Sequence, residues 1–322
     1  MRNFINYQCA SLLFISILIT PIVSLANSQP IVDIVTNKGT ITVELAADKA
    51  PVTVNNFLAY MHEGFYESTV FHRVIDNFMI QGGGYNANLE IQPVHPPIIL
   101  ESIAGLSNVR GTIAMARKTE PDTASSQFFI NTVDNSNLDY QSLFAPGYAV
   151  FGEVIEGMHV VDEISHQQTS NQSVATAVAG QPLFLRDVPQ EPVVIDVMRL
   201  REGQLKYAEM STSYTAGETV AVILQETMLR EKVLDLWVGI LSDAGDLVYI
   251  TQQGFSVTAA AFKAQVPVKE INHLVLNFTV PQGLTGHYTV LAAFNQQGAG
   301  IDDLNHSLRS NIAEISVAFI LD

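Results

Sequence analysis

The chain has 322 residues, which exceeds the usual size of one compact domain and indicates two. Hydrophobic residues make up 48% and charged residues 15%, so the chain can bury real cores and is not disordered throughout. Lys and Arg total 16 against 32 Asp and Glu, and the formal charge of -16 makes nucleic acid and anionic lipid poor partners.

The first 26 residues have the pattern of a signal peptide. Arg2 supplies a positive charge, the apolar run SLLFISILITPIVSLA follows, and Ser24-Leu25-Ala26 is a small-x-small cleavage pattern. The alternative is a membrane anchor, but the run is short and Pro21 interrupts it. We expect cleavage after Ala26 and no transmembrane span in the cleaved protein. Cys9 is the only cysteine, so the cleaved chain has neither disulfides nor thiolate chemistry.

The next segment predicts a hairpin followed by a helix. IVDIVT and TITVELA are β-branched, alternating runs on either side of Asn37-Lys38-Gly39. Within DKAPVTVNNFLAYMHEGF, apolar residues recur with the spacing i, i+3, i+4 and i+7 of one helical face. These residues are Val54, Phe57, Leu58 and Met61. Asp48 and Pro51 suit the start of the helix, and Gly64 suits its end.

Short apolar runs separated by loops rich in Gly, Pro, Asn and Ser then predict several strands. These runs are FMIQ, TIAMA, SQFFIN and YAVFGEV. The segment GMHVVDEIS predicts a second helix, and PVVIDVMRL predicts a closing strand after a polar stretch. Many short strands with two helices indicate a closed antiparallel β-barrel.

After about residue 200 the pattern becomes that of a β-sandwich, with seven candidate strands. They are LKYAEMST, TVAVILQE, LDLWVGILS, LVYITQQG, HLVLNFTV, HYTVLAAFN and AEISVAFILD. Residues 286–290, GHYTV, resemble an immunoglobulin-type tyrosine corner around Tyr288, and Trp237 is a candidate core tryptophan. Isolated Tyr and Trp residues also occur in ordinary cores, so both interpretations stay open. We therefore divide the chain into residues 1–26 (signal peptide), 27–200 and 201–322.

Four motifs in the first domain carry a family resemblance. FHRVIDNFMIQGG, GTIAMAR, SSQFFIN and YAVFGEVIEGMHVVDEI, in this order and spacing, resemble the cyclophilin family of peptidyl-prolyl cis-trans isomerases. MARKTEPDTASSQFFIN together with GYAVFGEV is most similar to the secreted bacterial branch, and the match spans about residues 31–200. The resemblance implies a mainly β fold: a closed eight-stranded antiparallel barrel with two capping helices and an active site on its outer face. It also implies that no metal or cofactor is needed.

The chemistry of this reaction explains the residue types. Resonance in an X-Pro amide opposes rotation with a barrier of about 18–20 kcal/mol. A catalyst must hold the proline and favour a prolyl nitrogen with a localised lone pair. By the resemblance Arg73 is the catalytic arginine, always protonated, and Gln81 orders the arginine and the substrate. The substrate-binding residues that the resemblance implies are Phe78, Met79, Ala116, Arg117, Gln127, Phe129, Leu138 and Tyr148. Ala116 is expected to pair with the peptide through its backbone.

The chain departs from the family pattern at three positions of this site. Asn137 stands beside Leu138 where eukaryotic members carry a tryptophan, which we expect to weaken binding of cyclosporin-type inhibitors. Tyr148 replaces a histidine, and Arg117 replaces an asparagine in a region of mostly backbone contact. Histidines lack HxH or HExxH spacing, so we expect no metal site, and we interpret His72 as structural.

The sequence thus predicts an exported isomerase, periplasmic or extracellular, that acts on X-Pro bonds of proline-containing peptides and unfolded exported proteins. The alternative is a binding module or chaperone that holds proline-containing segments with little turnover. Residues 201–322 lack a catalytic constellation, so we expect them to bind a protein or envelope partner.

Overall fold

The computed structural model describes residues 29–174, 182–228, 230–268 and 270–321. The predicted signal peptide, residues 1–26, lies outside these residues. Within the described ranges, no helix has both the length and the apolar character needed to cross a membrane.

The predicted hairpin and first helix are both present. Strands β1 (Ile31–Thr36) and β2 (Gly39–Leu45) pair antiparallel around the predicted turn. Helix α1 (Pro51–His62) follows and buries one apolar face in the core of the sheet. Asp48 does not cap this helix: the carboxylate of Glu101 accepts the Val52 and Thr53 N–H groups, at 3.2 and 2.8 Å. Glu101, which is distant in sequence, therefore accepts hydrogen bonds from N–H groups in the first turn of the helix. The residues around the helix start do not indicate this contact.

The described residues of the rest of the first domain form eight strands, one further α-helix and a single 3-10 turn at Ser136–Leu138. They are β3 (Arg73–Ile75), β4 (Met79–Gly82), β5 (Thr112–Met115), β6 (Phe128–Asn131), β7 (Val150–Glu156), α2 (Met158–Ser165), β8 (Thr169–Val174), β9 (Leu183–Pro189) and β10 (Ile195–Arg201). Strands β8 and β9 form a separate hairpin that we did not predict, because β8 is polar and shows no alternation of apolar and polar residues.

The main sheet of this domain is antiparallel, with strand order β10-β1-β2-β7-β5-β6-β4-β3. Its two edges approach each other just before β3. There, Ser68 N–H donates to Ile195 O and Ile195 N–H to Thr69 O, both at 2.8 Å, and Phe71 N–H donates to Val193 O at 3.0 Å. The sheet is therefore curled around the core beneath α1, while its full closure into a barrel stays a prediction.

A buried ion cluster ties the last strand of this sheet to the first. Asp33 is 2% exposed and accepts the Arg201 Nε–H at 2.8 Å. Arg201 also donates to Thr42 Oγ1 and to both carboxylate oxygens of Glu156, at 2.9–3.1 Å. Hydrogen bonding from Arg201 lowers the pKa of Glu156. Strand β10 thus extends one residue past the boundary predicted at residue 200.

In the second half of the chain, the described residues include all seven predicted strands and three short ones that we did not predict. The predicted strands are β11 (Gln204–Tyr207), β13 (Thr219–Met228), β14 (Leu234–Ser242), β15 (Leu247–Thr251), β18 (Asn272–Thr279), β19 (Gly286–Gln296) and β20 (Ala313–Phe319). The additional elements are β12 (Ser213–Tyr214), β16 (Gly254–Ser256), β17 (Lys263–Val266) and the short helix α3 (Leu304–Ser307).

These strands form two sheets around a second apolar core. One sheet has the order β11-β13-β18, and the other β12-β20-β19-β14-β15-β16 with β17 paired to β14. Leu236 and Val238 face the core, whereas Trp237 lies on the opposite face of β14 and packs edge-on against Tyr249. The interpretation of Trp237 as a core tryptophan is therefore wrong, and an immunoglobulin-like identity stays a prediction.

Replacing Arg201 with alanine tests the importance of the ion cluster. The change leaves Asp33 buried without its closest cation, and breaking a buried pair in this way costs about 3–5 kcal/mol. We expect a correspondingly lower midpoint of urea denaturation, followed by far-UV circular dichroism. Lys49→Ala is the control, because Lys49 pairs with Asp48 at the surface and such pairs contribute about 0–1 kcal/mol. Equal losses in the two variants would contradict this account.

Candidate active site

A row of three side chains crosses the outer face of the curled sheet. Arg73 lies directly opposite Gln81 on the neighbouring strand, and Gln81 lies opposite Phe129 on the next. Their sequence neighbours Val74 and Ile80 point the other way, into the core. Because side chains alternate between the faces of a strand, the packing of the core fixes this row on the outside.

The row borders a cavity of about 310 Å³ with an apolar floor. Nine of the ten residues predicted for the site line it: Arg73, Phe78, Met79, Gln81, Ala116, Arg117, Phe129, Leu138 and Tyr148. Met79 and Phe129 are 2% and 4% exposed, so the floor is packed as tightly as a core. The tenth, Gln127, supports the rim, since its Oε1 accepts from Gln81 Nε2 at 2.9 Å.

The Arg73 side chain is 40% exposed at the rim and has polar contacts on two sides. Its Nη1 donates to Gln81 Oε1 at 3.4 Å, and its Nε lies 3.8 Å from Asp187 Oδ2. Asp187 belongs to β9, and its N–H donates to Asn171 Oδ1 in β8 at 3.3 Å. Asp187 was not among the predicted site residues, because the polar sequence of β8 gives no sign of this hairpin.

The aromatic wall of the cavity is held by its neighbours. The Phe129 and Tyr148 rings meet edge-on with centroids 5.6 Å apart, and the Arg117 guanidinium carbon lies 4.7 Å from the Tyr148 centroid. Arg117 Nε donates to Gly147 O at 2.8 Å. Gly147 has a φ of +67°, and a Cβ there would lie 2.5 Å from the Asp139 carbonyl carbon. Arg117 thus braces the wall with its side chain, in a region where we expected mostly backbone contact.

Two asparagines fix the backbone beside Phe78, and neither of them was among the predicted site residues. Asn135 Nδ2 donates to Phe78 O and to Asn131 Oδ1, both at 2.8 Å. Thr132 N–H also donates to Phe78 O, at 3.0 Å. Asn131 and Asn135 are buried, so these bonds form away from bulk water and hold Phe78 at the cavity edge.

The backbone N–H of Ala116 is already used within the sheet. It donates to Gln127 O at 2.9 Å, as part of the pairing that continues β5 along β6. The expectation that Ala116 pairs with a peptide through its backbone stays a prediction.

Asn137 lies outside the cavity floor. It is exposed and lines a neighbouring depression of about 540 Å³ that shares Arg117, Leu138 and Tyr148 with the cavity. Phe144, also in that depression, is fully exposed. Asn137 therefore belongs to the neighbouring depression and not to the apolar floor of the cavity.

His72 precedes Arg73 but does not line the cavity. It is 4% exposed, its ring centroid lies 4.5 Å from that of Tyr85, and burial lowers its pKa to about 4. His72 is therefore neutral near pH 7. Its buried position outside the cavity agrees with the interpretation of this histidine as structural.

Comparison with known proteins finds relatives of the first domain. The sequence model of the family described as "Cyclophilin type peptidyl-prolyl cis-trans isomerase/CLD" matches residues 31–196. A peptidyl-prolyl cis-trans isomerase of Acinetobacter baylyi is 49% identical over 165 residues, which cover 51% of this chain and 86% of the relative. Peptidyl-prolyl cis-trans isomerase B of Escherichia coli K12 is 47% identical over 169 residues, covering 52% of this chain and 97% of the relative. The crystal structure of a cyclophilin type peptidyl-prolyl cis-trans isomerase of Cryptosporidium parvum is 26% identical, covers 54% of this chain and 98% of its own, and has a TM-score of 0.43.

The contact of Asp187 with Arg73 predicts that Asp187 acts as a positioning residue. Half-exposed pairs contribute about 0.2–1 kcal/mol, so Asp187→Asn should lower kcat/KM of the chain on an X-Pro peptide by a factor of roughly 1.4 to 5. The loss should appear mainly in kcat and shrink at high salt, because salt screens the pair.

Two variants control this measurement. Asp187→Glu keeps the charge and should recover part of the rate, and Asp196→Asn removes an exposed carboxylate of β10 and should change nothing. Equal, salt-independent rates for Asp187→Asn and Asp196→Asn would show that Asp187 does not position Arg73.

Proposed function

Because this chain belongs to the family of cyclophilin-type peptidyl-prolyl cis-trans isomerases, we propose that the Arg73 cavity is where it catalyses rotation about X-Pro bonds. The chain is a peptidyl-prolyl cis-trans isomerase of this family. The observation that supports the placement of the site is a guanidinium held at the rim of an apolar cup.

The apolar floor accounts for binding of the substrate. A prolyl ring seated against Met79, Phe129 and Leu138 leaves water and brings its amide to the rim, where Arg73 lies. The acyl side of the amide stays outside the cup and is free to rotate. Phe78, braced by the buried asparagines, closes one side of the cup, and Tyr148 closes another.

Arg73 accounts for the faster rotation about the X-Pro bond. In the transition state the prolyl nitrogen loses conjugation and its lone pair localises, so a fixed cationic donor beside it lowers the barrier. Gln81 receives a hydrogen bond from Arg73 and gives one to Gln127, which restricts the guanidinium before the substrate arrives. The reaction uses no nucleophile and no proton transfer, in agreement with a site whose histidine neighbour is buried and neutral.

Arg73→Ala tests this mechanism directly. Removing one preorganised donor typically costs about 10²–10³ in kcat, and we expect a loss of that size in a protease-coupled assay on an X-Pro tetrapeptide. Arg73→Lys keeps the charge without the planar fork and should recover only part of the rate. Lys232→Ala, which truncates an exposed cation of the second domain that pairs with Glu202, should keep the full rate.

The same experiment separates catalysis from the alternative of a proline-binding chaperone. A wild-type rate at background with peptide binding retained would favour the chaperone. Full activity in Arg73→Ala, with an unchanged circular dichroism spectrum, would overturn the role of Arg73.

We also propose the finer fold assignments. The three backbone hydrogen bonds between residues 68–71 and 193–195 support closure of the first sheet into a barrel. The donation from Tyr288 Oη to Thr285 O, at 3.3 Å, supports an immunoglobulin-like tyrosine corner in the second domain.

We propose further that the isomerase is exported, serves the folding of exported proteins, and uses residues 201–322 to bind an envelope or protein partner. The signal-like sequence of residues 1–26 supports export, and the separate core of the second domain supports an independent binding role.

Cell fractionation tests export and partner binding together. We expect the protein to leave producing cells or to be released by osmotic shock, and its N-terminal sequence to begin at Asn27. We expect envelope fractions to retain the full chain more than a chain that ends at residue 203. A cytosolic protein with residues 1–26 intact would contradict export, and equal retention would contradict the partner role.

A further inference from the structure

The two sheets of the second domain enclose a cavity of about 580 Å³. Its walls come from β13 and β18 of the smaller sheet and from β14, β15, β19 and β20 of the larger one. The volume lies within the range of about 300–1,000 Å³ that is typical of small-molecule sites. Protein interiors usually pack at the density of organic crystals, so a space of this size between two sheets is not ordinary core packing.

The lining of the cavity is almost wholly apolar. Of the fourteen residues that form it, twelve have apolar side chains and none is charged. The two polar ones are Asn277, which is exposed at the rim, and Tyr288, whose hydroxyl already donates to Thr285 O. Neither offers a hydrogen-bonding group deep between the sheets.

The apolar lining favours a hydrocarbon chain over water or a peptide as the ligand. Buried water needs two to four polar partners, and a peptide brings an amide N–H and a carbonyl with each residue it buries. Burying those groups without partners is unfavourable, whereas a hydrocarbon chain brings no polar group at all. The cavity therefore suits an alkyl chain and disfavours both water and a peptide.

The opening of the cavity indicates how such a chain enters. Phe255 of β16 lines the cavity and is 66% exposed, and Val257 just beyond it is 86% exposed. An apolar rim of this kind leaves the polar end of an amphiphile in solvent while its chain lies between the sheets.

We propose that this cavity binds the acyl chain of one single-chain amphiphile, with the chain between the two sheets and the headgroup at the Phe255 opening. The inference rests on the cavity alone, so it stands whether or not the second domain also binds an envelope partner. It assigns a ligand class to a domain that the isomerase reaction does not use.

Titration with cis-parinaric acid, a fluorescent fatty acid, tests the proposal on the two-domain protein. Below its micellar concentration, and with excitation where indole does not absorb, we expect a saturable fluorescence increase at one fatty acid per chain. Oleate and lysophosphatidylcholine should each displace the bound fatty acid, because each carries one acyl chain. An apolar peptide should not displace it.

Two tryptophan substitutions on β15 provide a matched pair. Val248 lines the cavity, so Val248→Trp should weaken binding at least tenfold. Leu247 precedes it on the opposite face of the strand, so Leu247→Trp should stay within twofold of the wild type. Isomerase activity should not change in either variant, and circular dichroism reports whether each one folds. If Val248→Trp does not fold, Ile240→Phe on the neighbouring strand fills the same space.

Several results would overturn the proposal. One is the absence of saturable binding to the wild type, and another is an equal effect of the two tryptophans. A third is displacement of the fatty acid by the peptide. The last is co-sedimentation with phospholipid vesicles that leaves cis-parinaric acid bound, because it would place the lipid contact on a surface outside the cavity.

Discussion

The site depends on the antiparallel register of three short strands. Arg73, Gln81 and Phe129 stand side by side because β3, β4 and β6 pair in one particular alignment. A slip of one residue would turn Arg73 into the core and bring Val74 to the surface. The apolar residues that alternate with the site residues, Ile80 and Ile130 among them, are fully buried and oppose such a slip.

The two faces of this sheet have different roles. Its inner face packs beneath α1 as an ordinary core, and its outer face forms a second, smaller apolar cluster around Met79 and Phe129. The floor of the cavity is buried, since Met79 and Phe129 are 2% and 4% exposed. The polar rim is different: Arg73 is partly exposed and is restrained by Gln81 and Asp187. A buried floor with a restrained cation at its edge suits a reaction that needs positioning and electrostatics alone.

The two domains meet where the first sheet ends. Asp33 lies between Arg201 and Arg199, and Arg199 Nη1 also donates to the Leu304 carbonyl in α3 of the second domain. The N–H groups of Glu202 and Gly203 both donate to Arg309 O, at 2.7 and 3.0 Å. The connection between the domains is therefore hydrogen-bonded along its length and is not a free linker.

The sequence by itself determined the elements whose periodicity is local: the first hairpin, both helices of the first domain and seven strands of the second. It also indicated the residues of the cup: residues 71–83 and 125–131 carry the family motif, and nine of the ten site residues that the sequence indicated line one cavity. The β8–β9 hairpin was not predicted, because a polar strand such as β8 shows no alternation of apolar and polar residues.

Only the tertiary structure brought Asp187 to Arg73, placed Asn135 behind Phe78, turned Trp237 away from its core and opened a cavity between two sheets. Each of these depends on which distant strands pair and in what register. Local patterns of hydrophobicity and turn residues do not carry that information, because pairing is decided by the packing of the whole core.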